Sequence, residues 1–251
     1  MNIDQEIRYS RNTTLKEISR EGQEKLLNSS VLVVGAGGLG SPLLLYLAAI
    51  GIGRIGIIDD DKVDLSNLQR QIIHETNDIG CLKTESASES VYDLNPDIKV
   101  EIYNQRLTEN NITEIIKKYD IIADGSDNFE TRFLINDICH KEKRTLVSAA
   151  ILEFSGQLYT FKSYADSCYP CYRCLYNDIP PAGTAPKCSE SGVLGSVAGI
   201  MGSWQATEII KEILGIGESL AGYFIIFDAL TSESRKIKIN PDPKCKCCGN
   251  K

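Results

Sequence analysis

The sequence lacks the features that direct a chain into a membrane or onto nucleic acid. Its longest apolar run, residues 42–50, is too short to span a bilayer. Its first residues (MNIDQEIRYS) have neither the basic start nor the apolar middle of a secretory signal. The net charge of −7 offers no basic surface for nucleic acid or anionic lipid. We therefore expect a cytoplasmic protein with no nucleic-acid partner and no membrane partner.

Histidine is scarce and cysteine is abundant. The 251 residues include two histidines, His74 and His140, and neither has a metal-ligand partner nearby in the sequence, so we expect packing or surface roles for both. There are nine cysteines, an odd number in a chain without an export signal, which argues against a disulfide scaffold. Metal binding or thiol chemistry is the better interpretation.

Short apolar segments alternate with helical segments through the first part of the chain. Such alternation indicates βαβ units and a parallel sheet. The predicted strands cover residues 31–34, 55–58, 99–103, 121–123 and 145–150, and the predicted helices cover 43–50, 83–94 and 129–141.

The pattern changes near residue 155. An antiparallel strand is predicted at 157–162, a loop at 163–192, a long helix at 193–214 and a hairpin at 223–227 and 235–239. We expect an α/β fold, a Rossmann-like doubly wound sheet with a parallel first half and a mixed or antiparallel second half. Residues 1–251 then form a single domain, with an N-terminal helical arm (1–30), a nucleotide-binding half (31–154) and a second half (155–251).

A glycine-rich loop follows the first predicted strand. Gly35, Gly37 and Gly40 fit the pattern G-x-G-x-x-G, with Gly38 inside it, and a predicted helix begins just after. Such a loop lets the backbone approach phosphate oxygens at a helix N-terminus. Asp59 ends the next strand, where a carboxylate accepts hydrogen bonds from ribose hydroxyls. Taken alone, the loop favours an NAD-dependent oxidoreductase.

Further polar groups follow the other strands. They lie in residues 59–71, 80–83 and 124–128, and the carboxyl ends of parallel strands meet at one edge of a sheet, where ligands bind. Cations at this edge can neutralise a triphosphate, and a carboxylate can hold Mg²⁺. The groups concerned are Arg70, Lys83, Asp59 and Asp127. A dehydrogenase does not need this set.

Four segments resemble the ThiF/MoeB/HesA family of ubiquitin-activating-enzyme-like adenylyltransferases, most closely the molybdopterin-synthase adenylyltransferase. They are Arg8-Tyr9-Ser10-Arg11, Ser66-Asn67-Leu68-Gln69-Arg70-Gln71, Gly80-x-x-Lys83 and Ser126-Asp127-Asn128, within a resemblance that covers residues 7–249. The resemblance implies ATP-dependent adenylation of the C-terminal glycine of a ubiquitin-like sulfur carrier ending in Gly-Gly, with release of pyrophosphate, in molybdopterin or thiamine biosynthesis.

The resemblance also implies residue roles. Asp59 would bind the ribose, and the glycine loop (Gly35, Gly37, Gly38, Gly40) would lie against the nucleotide with Asn128 nearby. The phosphates would be contacted by Asn67, Arg70 and Lys83, and Asp127 would coordinate Mg²⁺. Arg11 would reach into the active site of the other subunit of a homodimer.

Two C-x-x-C pairs predict a structural zinc site. Cys171 and Cys174 form the first pair and Cys245 and Cys248 the second, which suits tetrahedral Zn²⁺ with four thiolates. Members of the resembled family carry zinc in matching places. Cys247 is an additional thiol within the second pair.

Cys188 precedes a predicted helix, a position that favours thiolate. The thiamine-pathway relatives use a cysteine at a similar position in a covalent link with their carrier, so Cys188 is a candidate catalytic thiol. Sulfur is otherwise expected from an external donor such as a cysteine desulfurase. We expect the carrier tail to pass the loop near residues 163–190, where Tyr169, Tyr172 and Tyr176 are candidates to line its channel.

Two other functions remain open at this point. The NAD-dependent oxidoreductase explains the glycine loop and Asp59 but not the remaining cations, Asp127 and the cysteine pairs. A non-catalytic nucleotide-binding scaffold predicts ATP binding without pyrophosphate exchange.

Overall fold

The computed structural model describes residues 1–181 and 191–249, which contain one eight-stranded sheet. The strands are β1 (Ser30–Val34), β2 (Arg54–Ile58), β3 (Lys99–Tyr103), β4 (Ile121–Asp124), β5 (Thr145–Leu152), β6 (Ser155–Phe161), β7 (Tyr223–Asp228) and β8 (Glu233–Lys238). Their order is β3-β2-β1-β4-β5-β6-β7-β8.

The helices of the described residues lie before the first strand and between later strands. They are α1 (Ile3–Arg8), α2 (Ser10–Thr13), α3 (Ser19–Leu27), α4 (Gly40–Ile50), α5 (Lys83–Leu94), α6 (Ile112–Ile116), α7 (Phe129–Lys141), α8 (Tyr172–Leu175) and α9 (Gly195–Leu214). None of them is both long and apolar enough to cross a membrane.

The sheet is parallel from β3 to β5 and antiparallel from β5 to β8. Helical crossovers return the chain to the same edge and so give parallel neighbours, whereas the tight β5–β6 and β7–β8 turns give antiparallel ones. The predicted fold class, with its parallel and antiparallel halves, is confirmed.

Two apolar cores cover the two faces of the sheet. One core contains residues from α4 and α9 with one face of β1 and β2, and the other contains residues from α6 and α7 with the opposite face. Both faces are covered, so all five residues of β1 are buried and its sequence is continuously apolar after Ser30.

The structure differs from the prediction mainly at element ends. The long helix begins at Gly195 rather than at residue 193, because Val193 and Leu194 lie beside Glu153, whose carbonyl oxygen accepts a hydrogen bond from the Leu194 N–H (2.9 Å). The short helices α6 and α8 were not predicted, because five-residue and four-residue helices leave no periodic signal.

Strand register places the polar segments side by side. Val34 at the end of β1 is level with Ile58 on β2 and with Asp124 on β4. The segments that follow these residues therefore leave the sheet at one edge. They surround a cavity there.

Candidate functional site

A cavity of about 640 Å³ opens at the carboxyl edge of the parallel strands. It is lined by most of the predicted nucleotide-binding residues: Gly35, Gly37, Gly38, Asp59, Arg70, Lys83, Asp127 and Asn128. These residues come from five separate segments of the chain, and the parallel sheet brings them together.

The glycine loop is held in one conformation by its neighbours. Gly35 has a φ of +93°, which suits glycine, and a Cβ at Gly40 would lie 2.0 Å from the Gly35 carbonyl oxygen. The Ser41 N–H and Oγ both donate to the Gly37 carbonyl oxygen, at 2.9 and 2.7 Å. The Ala36 carbonyl oxygen accepts from His74 Nε2 at 2.9 Å. The loop and the first turn of α4 therefore form one rigid unit.

Asp59 supports this loop from the end of β2. Its Oδ2 accepts the Ala36 N–H (2.8 Å) and its Oδ1 accepts the Asp61 N–H (2.9 Å). Burial raises the pKa of Asp59, against the lowering effect of these hydrogen bonds and of Lys83. The carboxylate thus holds the backbone of the glycine loop, and the ribose contact expected of it stays a prediction.

The two predicted cations reach the cavity in different ways. The Arg70 side chain packs over Gly38, where a Cβ would lie 3.5 Å from Arg70 Cγ, and its Nη1 donates to the Ser66 carbonyl oxygen (3.1 Å). Lys83 is the first residue of α5 and is 5% exposed, and its Nζ lies 2.8 Å from Asp61 Oδ2. Lys83 is therefore a buried ammonium group with a solvent-exposed partner.

Asp127 lies in a loop that hydrogen bonds to the Asp124 side chain hold in place. The buried Asp124 accepts from the Ser126 N–H (2.9 Å) and Oγ (2.6 Å) through Oδ1, and from Ser148 Oγ (2.6 Å) through Oδ2. Asn128 caps α7 by accepting the Thr131 N–H (2.9 Å). Asp127 itself is exposed, and Asn128 Nδ2 approaches its Oδ1 at 3.4 Å. Its carboxylate is thus aimed outward from a rigid turn.

Three buried side chains at this site were missed by the sequence interpretation. Arg132 donates to the carbonyl oxygens of Ser126 and Ala149, and Asp124 was seen only as part of a polar run. Gln71 is 4% exposed and lines the cavity, and its Oε1 has no hydrogen-bond partner among the described residues. Gln71 is the last residue of the segment Ser66–Gln71 but was given no role, and the only signal for Arg132 was its proximity to Asp127 in the sequence.

The far end of the cavity is aromatic and lies in the antiparallel half. It is lined by Gln157, Tyr159, Tyr172 and Tyr176, and Tyr159 donates to Gln157 Oε1 at 2.5 Å. Burial raises the pKa of Tyr159 and Tyr172 well above the ordinary tyrosine value, so both stay neutral. Tyr169 does not line this cavity, and its ring lies 5.5 Å from Lys162 Nζ.

Several predicted residues do not line the cavity. Gly40 lies beneath the loop, and Asn67 ends a 3₁₀ turn in which its carbonyl oxygen accepts the N–H groups of Arg70 and Gln71 at 3.0 Å each. Arg11 is exposed on α2, away from the cavity of its own chain. Cys188 lies outside the described residues.

The four cysteines of the C-x-x-C pairs come together, with all sulfur atoms within 4.8 Å of one another. The Sγ–Sγ distances are 3.5 Å for Cys171–Cys245 and 3.4 Å for Cys174–Cys248. Four sulfurs around a tetrahedral metal with bonds of about 2.3 Å are separated by about 3.8 Å, so the donor set fits such an ion. Hydrogen bonds from the neighbouring thiols, first of all Cys174, lower the pKa of Cys171 strongly.

Cys247 does not belong to this group of four. Its Sγ instead accepts a hydrogen bond from Asn136 Nδ2 (3.7 Å), and Asn136 Oδ1 accepts the Tyr172 N–H (2.8 Å). Cys171 is the N-cap of α8, which carries Tyr172 into the cavity wall. The cysteine cluster and the aromatic end of the cavity are therefore one connected structure.

Comparison with known proteins agrees with this arrangement. The chain is 44% identical over 245 residues to the sulfur carrier protein adenylyltransferase of Thermus thermophilus, with 97% of this chain aligned to 90% of that protein. It is 45% identical over 242 residues to the SAMP-activating enzyme E1 of Haloferax volcanii, with coverages of 96% and 88%. It is 46% identical over 237 residues to a probable adenylyltransferase/sulfurtransferase, MoeZ, of Mycobacterium tuberculosis, covering 94% of this chain and 60% of that protein.

Solved structures show the same fold at lower identity. The chain superposes on Escherichia coli MccB with ATP at a TM-score of 0.82, with 22% identity and coverages of 97% and 75%. The model of the ThiF family matches residues 9–247, nearly the whole chain. The resemblance noted in the sequence is thereby confirmed, and this chain belongs to the ThiF family.

Proposed function

We propose that this chain adenylates the C-terminal glycine of a MoaD-like or ThiS-like sulfur carrier, with ATP as the nucleotide and pyrophosphate as the leaving product. The observation that supports this most is the placement of a phosphate loop, Arg70, Lys83 and Asp127 around one cavity. The names of the Thermus and Haloferax relatives support the same reaction class.

In this proposal ATP lies across the glycine loop. The free amides at the start of α4 face the phosphates and Asp59 faces the ribose. Arg70, beside Gly38, and Lys83, beside Asp61, contact the polyphosphate. The cavity continues past Asp127 towards Tyr159 and Tyr172, which leaves room for a second substrate beside the α-phosphate.

The chemistry requires charge neutralisation more than proton transfer. The carrier's terminal carboxylate is already ionised at neutral pH and attacks the α-phosphorus, while negative charge builds on the departing pyrophosphate. Two fixed cations lower the repulsion between these anions and stabilise the leaving group. The outward carboxylate of Asp127 suits Mg²⁺, which would neutralise further phosphate charge when bound.

The carrier tail enters through the aromatic end. A Gly-Gly tail has no side chains, so it fits a narrow passage lined by Tyr172 and Tyr176, while the globular part of the carrier stays outside. We propose that residues 31–154 serve the nucleotide and that residues 155–251 serve the carrier.

The cysteine cluster is proposed to hold structural Zn²⁺. Four sulfur ligands leave no open position for a substrate, so the metal would fasten the C-terminal segment to α8 and thereby support Tyr172. Arg11, exposed on α2, is proposed to complete the site of a second subunit in a cytoplasmic homodimer. Cys188 is kept as a candidate thiol for a covalent link to the carrier, with sulfur supplied by an external donor such as a cysteine desulfurase.

The Asp127→Ala variant tests the proposal. Because Asp127 is exposed, its removal should leave the free energy of unfolding within about 0.5 kcal/mol of wild type. Carrier-dependent ATP–pyrophosphate exchange should fall by at least about a hundredfold, a typical loss for one group that stabilises transition-state charge.

Glu130→Ala is a matched control, because Glu130 is an equally acidic, exposed residue in the first turn of α7 and does not line the cavity. Its exchange rate should equal that of wild type. Unimpaired exchange in Asp127→Ala would refute the role of Asp127. Binding of NADH in preference to ATP with Mg²⁺ would instead support an oxidoreductase.

A further inference from the structure

We propose that His74 is a positioning residue that aims the Gly37 N–H of the glycine loop at the bound nucleotide. This inference rests on the proposed function, since it assumes that a nucleotide phosphate lies against the loop. His74 is 5% exposed and lies outside the cavity lining, so it does not touch the nucleotide itself.

The geometry of one peptide group carries the inference. The Ala36 carbonyl and the Gly37 N–H belong to the same planar trans peptide and point in opposite directions. His74 Nε2 donates to the Ala36 carbonyl oxygen at 2.9 Å on the side away from the cavity. Gly37 lines the cavity, whereas Ala36 does not. The imidazole therefore turns the Gly37 N–H towards the space where phosphate would lie.

The neighbouring peptide is fixed by a different residue. The Ala36 N–H donates to Asp59 Oδ2 (2.8 Å), which holds the plane between Gly35 and Ala36. Two consecutive peptide planes of the glycine loop are thus set by Asp59, just after β2, and by His74, from the segment before α5. Without His74, rotation of the second plane is no longer opposed by a hydrogen bond.

The other ring nitrogen anchors the imidazole to α5. His74 Nδ1 lies 2.7 Å from Ser86 Oγ, and Ser86 Oγ lies 2.7 Å from Asp78 Oδ2. Lys83 begins the same helix. His74 therefore connects the loop that receives the phosphates with the helix that presents a phosphate-binding cation.

The contact with Ala36 needs a proton on Nε2, because a carbonyl oxygen only accepts. Both the Nε2–H neutral form and the imidazolium satisfy this requirement, so the contact survives a change of charge. Burial lowers the pKa of His74, as does the nearby Lys83, against raising contributions from the Ala36 contact, Asp78 and Asp59. In the neutral Nε2–H form, which the lowered pKa favours, Nδ1 accepts the Ser86 Oγ–H. The imidazolium instead donates from Nδ1 and leaves Ser86 Oγ to donate to Asp78.

Two substitutions separate positioning from packing. In His74→Gln the amide nitrogen reaches the place of Nε2 and keeps a donor for Ala36, whereas in His74→Asn the shorter amide reaches only the place of Nδ1. Calorimetric titration with ATP and Mg²⁺ should show an affinity about tenfold weaker for His74→Asn, because the Ala36–Gly37 peptide must then be oriented during binding without its hydrogen bond. The affinity of His74→Gln should stay within about threefold of wild type. Ser86→Ala is the control that removes the anchor and keeps the donor.

A second measurement needs no variant. The amide proton of Gly37 in the wild-type protein should shift downfield when ATP is added, as expected for an N–H that donates to phosphate. Equal ATP affinities for the asparagine and glutamine variants, or an unmoved Gly37 amide at saturating ATP, would overturn the inference and leave the proposed function intact. A wild-type chain that binds no ATP would contradict both this inference and the proposed function.

Discussion

Replacing Lys83 with methionine separates the contribution of its ammonium group to folding stability from its contribution to catalysis. The Lys83 ammonium lies 2.8 Å from Asp61, whose side chain is 67% exposed. Loss of the ammonium therefore leaves Asp61 in water rather than buried and unpaired. Methionine has a similar length and avoids the cost of burying an ammonium group, so the free energy of unfolding should fall by less than about 1 kcal/mol.

The effect on catalysis should be much larger. A charge-assisted hydrogen bond from an ammonium group to phosphate contributes about 1.5–3 kcal/mol, which corresponds to a loss of roughly 10- to 150-fold in kcat/KM for ATP. The assay is carrier-dependent pyrophosphate exchange at subsaturating ATP, with urea denaturation to follow stability. Lys62→Met is the matched control, because Lys62 is exposed, close in the chain to Asp61 and absent from the cavity lining.

The Asp61→Asn variant completes the test. It breaks the same ion pair but leaves the Lys83 ammonium in place and removes one negative charge from the cavity, so ATP binding should be unchanged or tighter. If Lys83 acts only as the partner of Asp61, both variants lose activity equally. Equal losses would therefore refute the reasoning.

Three further predictions concern the supports of the site. Cys245→Ser should release bound zinc, measured by elemental analysis, and lower the thermal midpoint, whereas Cys247→Ser should keep the metal because its sulfur lies outside the group of four. Gly40→Ala should destabilise the chain by about 2 kcal/mol or more in urea denaturation, since the new Cβ would lie 2.0 Å from the Gly35 carbonyl oxygen; wild-type stability would contradict the loop geometry. Burial lowers the pKa of folded His74, so the unfolded chain binds the proton more tightly than the folded chain does. The free energy of unfolding should therefore fall as the pH drops from 6.5 towards the folded-state pKa, by up to about 1.4 kcal/mol per pH unit. His74→Gln should abolish this slope, and equal slopes in the two proteins would contradict the burial effect.

The sequence predicted the regular elements well wherever their periodicity is strong. The bounds of α5, α7 and β3 agree with the prediction residue for residue, because α5 and α7 are long enough to show a helical pattern and β3 alternates polar and apolar residues. Segments with weak local signals failed, as at α6, whose five residues are held by packing against the core. A local pattern cannot report such tertiary stabilisation.

Only part of the candidate site could be predicted from the sequence. Glycines, motif cations and C-x-x-C spacing carry their chemistry in the sequence itself, so the cavity lining and the cysteine cluster could be anticipated. The residues that hold the glycine loop and the Asp127 loop in place could not be predicted in this way. His74 meets Ala36 across 38 positions and Arg132 meets Ala149 across 17, and those separations follow no motif. Their roles depend on the register of the sheet and on helix placement, which only the folded structure specifies.

The carrier's last glycine is the group that we propose this chain activates. The most direct measurement is ATP–pyrophosphate exchange with MoaD-like and ThiS-like carriers that end in Gly-Gly, each compared with the same carrier lacking its final glycine. Exchange should require an intact tail and should disappear when one residue is removed. Exchange that is independent of the final glycine, or absent with every intact carrier, would contradict the account.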